Sequence, residues 1–223
     1  MRQDYTYRKK VDEGIKEIFR PAIENLFRYH IPFWGNFFTK PPGEPEMPLH
    51  ADWRYVNEET DISLNIWAPL SDTDQQNSTL GLVPGSHRVV NQIRGINITD
   101  TYRKYAREIA DRFVQYVPLK AGEAIVYDHR LLHLSSANAS ASPRIAATLI
   151  MVPNHQKVKI FIAKNEGDKT FYEFVIDSIE EMLRFESSSF FETHTPIHTI
   201  SDFIFQPIRP EDLSLSDIQK PFV

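Results

Sequence analysis

The chain has 223 residues, 41% of them hydrophobic, 25% charged and 12% aromatic, with a formal net charge of −5 and a pI near 5.9. That is enough for one domain with a real core, and the acidic balance supplies no basic surface for nucleic acid or an anionic membrane. The chain contains no cysteine, which excludes disulfides, thiolate metal sites, iron–sulfur clusters and cysteine nucleophiles, so a bound metal must be held by His, Asp, Glu or backbone oxygen.

The N-terminal stretch MRQDYTYRKKVDEG is polar and does not read as a signal peptide. No apolar run approaches the roughly 18 residues of a membrane span. A cytoplasmic protein is the expectation, and the sequons at Asn77, Asn97 and Asn138 then read as coincidence.

In chain order, residues 7–29 predict helix, with Val11, Ile15, Ile18, Phe19, Ala22, Ile23, Leu26 and Phe27 on one apolar stripe. Pro21, which lacks the N–H needed inside a helix, is expected to split it in two. Residues 36–40 (NFFTK) look extended, and Pro41-Pro42-Gly43 ends them. From about residue 48 to 153 come short segments rich in β-branched residues, bounded by Gly, Pro, Asn and Asp: 63–70, 79–85, 116–119, 123–128, 131–136 and 144–152. Short strands without intervening helices predict a mainly β sandwich or jelly roll with flanking helices.

One insert interrupts them: residues 99–115 predict a helix, with Thr99 or Asp100 as a possible N-cap. Beyond 155, KIFIA and FYEFVI read as strands and DSIEEMLRF (177–185) as a helix; residues 186–223 show no clear period. The whole reads as a single domain. It has a helical N-terminal flank (1–35), a β core (36–153) with a helical insert (91–118), and a C-terminal extension (154–223).

The chemistry concentrates in two places. His50-Ala51-Asp52 sets an imidazole and a carboxylate two residues apart, on one face of an extended chain. Alone this half-site for a divalent metal is a weak signal. The stretch YDHRLLHLSSANASASPRIAATL adds His129 and His133. His133 lies in the apolar run LLHLSS, where a buried imidazole needs a partner, whereas His129 lies in a polar turn and can be hydrated. His133 is the preferred third ligand, with His129 as the alternative. Two His and one carboxylate leave positions open for a keto acid and for dioxygen, which suits an iron(II) oxygenase. Arg144 opens the strand RIAATLIMV beside the small residues Ala146 and Thr148, where its planar fork could grip the far carboxylate of 2-oxoglutarate.

The order of these motifs, PLHADW (48–53), LNIWAPLSDTD (64–74), LVPGSHR (82–88) and AGEAIVYDHRLLHLSSANASASPR (121–144), resembles the phytanoyl-CoA dioxygenase family of iron(II)/2-oxoglutarate oxygenases over roughly residues 36–153. The resemblance implies a double-stranded β-helix (cupin-like jelly roll), with iron(II) on His50, Asp52 and His133 and 2-oxoglutarate on Arg144. It adds Ser135, Trp67, Asn36 and Lys40 as residues near the cosubstrate. It implies hydroxylation of a small-molecule substrate with release of succinate and CO2. Rival readings are a non-catalytic β-helix protein that binds a small acid, or an oxygenase performing desaturation or cyclisation. Asp52 argues against halogenation, because a halide would need the carboxylate's position.

Several features read as structural: His87 in the Pro84-Gly85 turn, Glu44, Glu46, Glu58 and Glu59 as loop charge, His194 and His198 in a solvated loop, and Trp67, taken alone, as core. Arg103 and Arg107, four residues apart on the insert helix, read as a solvated face or, if the insert is a lid, as contacts for an anionic substrate group.

Overall fold

The computed structural model describes residues 4–213, the side chains of 187–189 excepted. The period-2 segments become strands that nest like a long hairpin rolled up on itself. β4 (Leu80–Leu82) pairs with β5 (Gln115–Val117), β3 (Leu64–Pro69) with β6 (Ile125–Asp128), β2 (Met47–His50) with β7 (His133–Ser135), and β1 (His30–Lys40) with β8 (Arg144–Pro153), all antiparallel. Further pairing of β3 with β8 and β4 with β7 closes two four-stranded sheets, β1-β8-β3-β6 and β2-β7-β4-β5. This is the jelly roll that the strand pattern predicts.

β8 shows how alternation builds the layers. Ala147, Leu149 and Met151 face outward against Ile15 and Ile23 of α1 (Tyr5–Leu26), while Arg144 and Thr148 face the cavity between the sheets. Asp12 fastens α1 to the sheet. Only 2% exposed, its carboxylate accepts from the Gly35 backbone N–H at 2.7 Å and from Lys16 Nζ at 2.8 Å.

Four expectations are corrected here. α1 runs unbroken through Pro21. The ring lies on the solvent side, and Ile15 and Ile23 pack either side of it, so tertiary contacts outweigh the one lost hydrogen bond. The apolar stripe is narrower than predicted, with Ile18 78% and Leu26 73% exposed. The core begins at His30 instead of residue 36: β1 is an edge strand, and an edge tolerates Pro32 at a register shift. The insert forms a 3-10 turn (Arg103–Tyr105) leading into α2 (Ala106–Phe113), and neither Thr99 nor Asp100 caps α2. Its inner side is core, since Tyr102, Ile109 and Phe113 are buried against Leu49, Leu132 and Leu134.

After β8, KIFIA and FYEFVI become β9 (Val158–Ala163) and β10 (Phe171–Ile176). With β11 (His198–Ile200) they form a third sheet, ordered β11-β10-β9. α3 (Ile179–Arg184) is N-capped by Ser178, whose Oγ accepts from Glu181 N–H at 3.2 Å. α4 (Ser187–Thr193) and β11 have no counterpart in the sequence reading. Residues 214–223 of the C-terminal extension lie outside the described residues. Among the described residues no helix is long and apolar enough to cross a membrane.

Two glycines test the packing in opposite directions. A Cβ on Gly95 would meet the Phe161 carbonyl oxygen at 2.0 Å, whereas one on Gly14, in α1, would meet nothing within 4 Å. Gly95→Ala should therefore cost about 1–3 kcal/mol of unfolding free energy, and Gly14→Ala should gain roughly 0.5–1 kcal/mol. Urea titrations of both variants check the pair.

Candidate metal centre

The antiparallel register of β2 on β7 sets His50 directly opposite His133. Their rings lie 4.2 Å apart between centroids, tilted by 50°. Both imidazoles turn Nδ1 to the carbonyl two residues back, His50 to Pro48 O at 2.8 Å and His133 to Leu131 O at 2.9 Å. A carbonyl only accepts, so Nδ1 carries the proton in each ring and the Nε2 lone pair is free for a metal. Asp52 follows on the same face, just past the end of β2. Its backbone is held at both ends: its N–H donates to His129 O at 2.9 Å, and its carbonyl accepts from Arg94 Nε at 2.8 Å. The ligand atoms of His50, Asp52 and His133 all lie within 4.8 Å of one another.

The charge states suit coordination. Burial, reinforced by His50, lowers the His133 pKa to about 4, so the ring is neutral at pH 7. Burial alone would raise the Asp52 pKa, but His133, His129, His50 and the Asn65 amide together hold it below its usual value, so it is ionised. Asn65 Nδ2 donates to Tyr127 Oη at 2.9 Å and stands 3.4 Å from Asp52 Oδ2. Two imidazoles with Nε2 turned inward and one carboxylate, converging on one point, fit a first-row divalent metal with open positions, iron(II) included.

The same cavity is lined at its far end by Arg144, with Lys40 beside it. Lys40 and Arg144 are register partners on β1 and β8, so both point inward, and they are 6% and 5% exposed. Lys40 Nζ donates to Ser136 O at 2.6 Å, Ser135 Oγ at 3.1 Å and Ser135 O at 3.3 Å. Arg144 donates from Nε to Ser78 O and from Nη1 to Phe38 O, each at 3.1 Å, and lies 5.4 Å from the Trp67 ring centroid. Ser78 sits at φ 73°, a left-handed conformation uncommon for serine, with its carbonyl turned to the guanidinium. Burial, with Arg144 adding repulsion, lowers the Lys40 pKa to about 8.

The structure thus gathers His50, Asp52, His133, Arg144, Ser135 and Trp67 around one cavity, which Lys40 reaches through its hydrogen bond to Ser135 Oγ. Asn36 lines the neighbouring cleft between α1 and β1, and it reaches this cavity only through a hydrogen bond from Thr148 Oγ1.

His129 departs from expectation. It is fully buried instead of hydrated, with Nδ1 2.8 Å from Ser63 Oγ and the Tyr55 ring against it, while Asp128 and Arg130 pair with each other. Burial lowers its pKa as well, which keeps the ring neutral. Glu58 is likewise no loop charge. Its side chain is 4% exposed and grips Arg94 with both oxygens, at 2.6 and 3.1 Å. Arg94 and Tyr102, whose hydroxyl accepts from Ala51 N–H at 2.8 Å, brace the ligand loop, and sequence reading missed both. Arg103 pairs with Glu166 and Arg107 with Asp111, all largely exposed, so these arginines face water. With Tyr102 and Ile109 buried, the insert is a packed brace and not a hinged lid.

A jelly roll with a two-His, one-carboxylate cluster inside it, and a buried arginine across the same cavity, defines a class of metal-dependent oxygenase scaffold. The sequence profile of the phytanoyl-CoA dioxygenase (PhyH) family matches residues 1–146, and the chain belongs to that family. The match reaches back through α1 and covers His50, Asp52, His133 and Arg144. Among similar proteins, a phytanoyl-CoA dioxygenase of Arabidopsis thaliana is 30% identical over 156 residues, 67% of this chain and 52% of that protein. A phytanoyl-CoA dioxygenase domain-containing protein 1 of Danio rerio is 26% identical over 128 residues, 54% of this chain and 44% of that protein. The chain thus spans about half the length of these relatives. The crystal structure of SnoK, a non-haem alpha-ketoglutarate-dependent carbocyclase from nogalamycin biosynthesis, has a similar fold. Its TM-score is 0.51 at 20% identity, covering 66% of this chain and 59% of that one.

Arg94→Met would leave the Glu58 carboxylate buried with Arg54 3.9 Å away and no close ion pair. It should cost about 3–5 kcal/mol. Arg94→Met with Glu58→Leu should recover most of that loss. A double-mutant cycle by urea denaturation reads the difference.

Proposed function

We propose that the protein is an iron(II)- and 2-oxoglutarate-dependent dioxygenase that hydroxylates a small organic substrate, with release of succinate and CO2. The observation that carries this reading is the opposition of charge along one cavity. At one end stand an ionised Asp52, a neutral His133 and His50. At the other stand Lys40 and Arg144, both buried, whose polar contacts are to carbonyls and hydroxyls. Burying two cations side by side is costly without an anion. A ligand with a chelating keto acid at one end and a carboxylate at the other answers both ends at once.

In this reading His50, Asp52 and His133 hold iron(II), and Arg144, with Lys40 beside it, fixes the far carboxylate of 2-oxoglutarate. Iron(II) with a bound keto acid supplies dioxygen activation and the oxidising power for a C–H bond. The protein's share is placement. The two Nδ1–carbonyl bonds orient the imidazoles, and Trp67 and Leu80 keep the cavity wall apolar. Phe38 and Met47, 49% and 44% exposed, line the cavity where substrate can enter.

His50→Ala, Asp52→Ala and His133→Ala should each abolish iron-dependent succinate release from 2-oxoglutarate. No succinate release from wild type with iron would leave a protein that merely binds small acids, and release that persists without iron, or in all three variants, would overturn this ligand set. Arg144→Leu should keep the metal but weaken 2-oxoglutarate by about 2–5 kcal/mol. The absorption band that iron(II) and a keto acid give together under nitrogen reads this directly.

The Lys40 pKa of about 8 adds a pH dependence. Below pH 8 the amine is charged and 2-oxoglutarate affinity is flat. As pH rises through 8 the proton is lost and affinity falls. Lys40→Met should bind more weakly at pH 7 and show no such fall, which calorimetric titration between pH 6.5 and 9.5 checks.

A further inference from the structure

His129 takes no part in the ligand cluster, yet the fold spends a buried polar group on it. The residue is 0% exposed, and its backbone is tied at both ends, N–H to Ser63 O at 3.2 Å and carbonyl to Asp52 N–H at 2.9 Å. Its Nδ1 lies 2.8 Å from Ser63 Oγ, while its Nε2 is buried without a hydrogen-bond partner. A buried imidazole nitrogen left without a partner is uncommon and asks for an explanation. The group facing it is Asp52 Oδ2, at 4.0 Å, about 1 Å beyond a hydrogen bond.

The two oxygens of Asp52 look in different directions. Oδ1 faces His133 Nε2 at 3.9 Å, whereas Oδ2 faces Asn65 Nδ2 at 3.4 Å and His129 Nε2. His133 Nε2 offers a lone pair, so Oδ1 and that nitrogen come together only on a cation. His129 has the opposite option. The Ser63 hydroxyl can donate to Nδ1, which leaves the proton on Nε2, aimed at Oδ2.

We infer that His129 is a positioning residue for Asp52: its Nε2–H, set by Ser63, closes on Oδ2 when a metal draws in Oδ1, so the carboxylate binds through one oxygen. The inference rests on the metal centre proposed above. Carboxylates that ligate metals are commonly held by such outer hydrogen bonds, and losing one typically weakens the metal about 10–100-fold.

The test titrates metal-free protein with cobalt(II), read by calorimetry and by the visible cobalt spectrum, alongside the melting temperature of each metal-free variant. His129→Phe fills the space without a donor. It should weaken cobalt(II) roughly 10–100-fold and alter the cobalt spectrum, with the metal-free melting temperature unchanged or higher. His129→Gln, whose amide N–H can stand near the Nε2 position, should bind within a few-fold of wild type. Ser63→Ala, which removes only the hydroxyl that sets the tautomer, should weaken binding in the same direction and serves if His129→Phe does not fold. Wild-type affinity in His129→Phe or Ser63→Ala, or equal weakness in His129→Gln and His129→Phe, would overturn the inference. So would cobalt binding that survives His133→Ala but vanishes in His129→Phe, since His129 would then be a ligand. Failure of the wild type to bind cobalt(II) or iron(II) at all would instead remove the metal centre itself.

Discussion

The site depends on one register: β2 lies on β7 with His50 opposite His133. Side chains alternate across a strand, so a slip of one residue would turn one imidazole out of the cavity and carry Asp52 with it. β2 is short, and its pairing is irregular between Met47 and His50. The register is therefore held from outside the two strands. Tyr102 takes the Ala51 N–H, Arg94 takes the Asp52 carbonyl, and the His129 carbonyl takes the Asp52 N–H. The insert that supplies Arg94 and Tyr102 earns its place in the core this way.

Electrostatics runs the length of the cavity. Each end is unfavourable to the empty protein: three metal-ligand groups converge at one, and two cations crowd at the other. Folding tolerates both because the surroundings are heavily hydrogen-bonded. Serine hydroxyls and backbone carbonyls around Lys40 and Arg144, including that of Ser78 in its left-handed conformation, solvate the charges without neutralising them.

The buried Arg94–Glu58 pair shows the same economy away from the chemistry. An ion pair of this kind adds little stability over an apolar pair of equal volume, but its geometry is directional. Arg94 spends Nε on the Asp52 carbonyl and both terminal nitrogens on the Glu58 carboxylate. Glu58 thereby orients the guanidinium that holds the ligand loop, an effect that an apolar pair in its place would lose.

Local rules in the sequence reached a long way into this protein. Two-residue alternation placed β3, β4, β6, β7 and β8, put His50 with Asp52 on one face and put Arg144 on the face of Thr148, whereas the pairing of Lys40 with Arg144 came only from the β1–β8 register. The apolar setting of His133, against the polar setting of His129, pointed to the imidazole that the fold brings within 4.8 Å of His50 and Asp52. What failed were statements that needed a partner distant in the chain. Glu58 and Arg94 are 36 residues apart, with no local pattern to join them. The turn carrying His129 is polar in sequence, yet it lies buried because Asp128 and Arg130 neutralise each other and Ser63 and Tyr55 pack against the imidazole. Pro21 breaks a helix only where nothing else holds it, and Ile15 and Ile23 hold this one against β8. Asn36 has the right parity but stands one hydrogen bond too far out. Periodicity and residue chemistry are properties of a segment, and the sequence alone determined which side chains could face a metal and a carboxylate. Which of them are braced, buried or left facing water depends on packing between segments, and only the tertiary structure decided that.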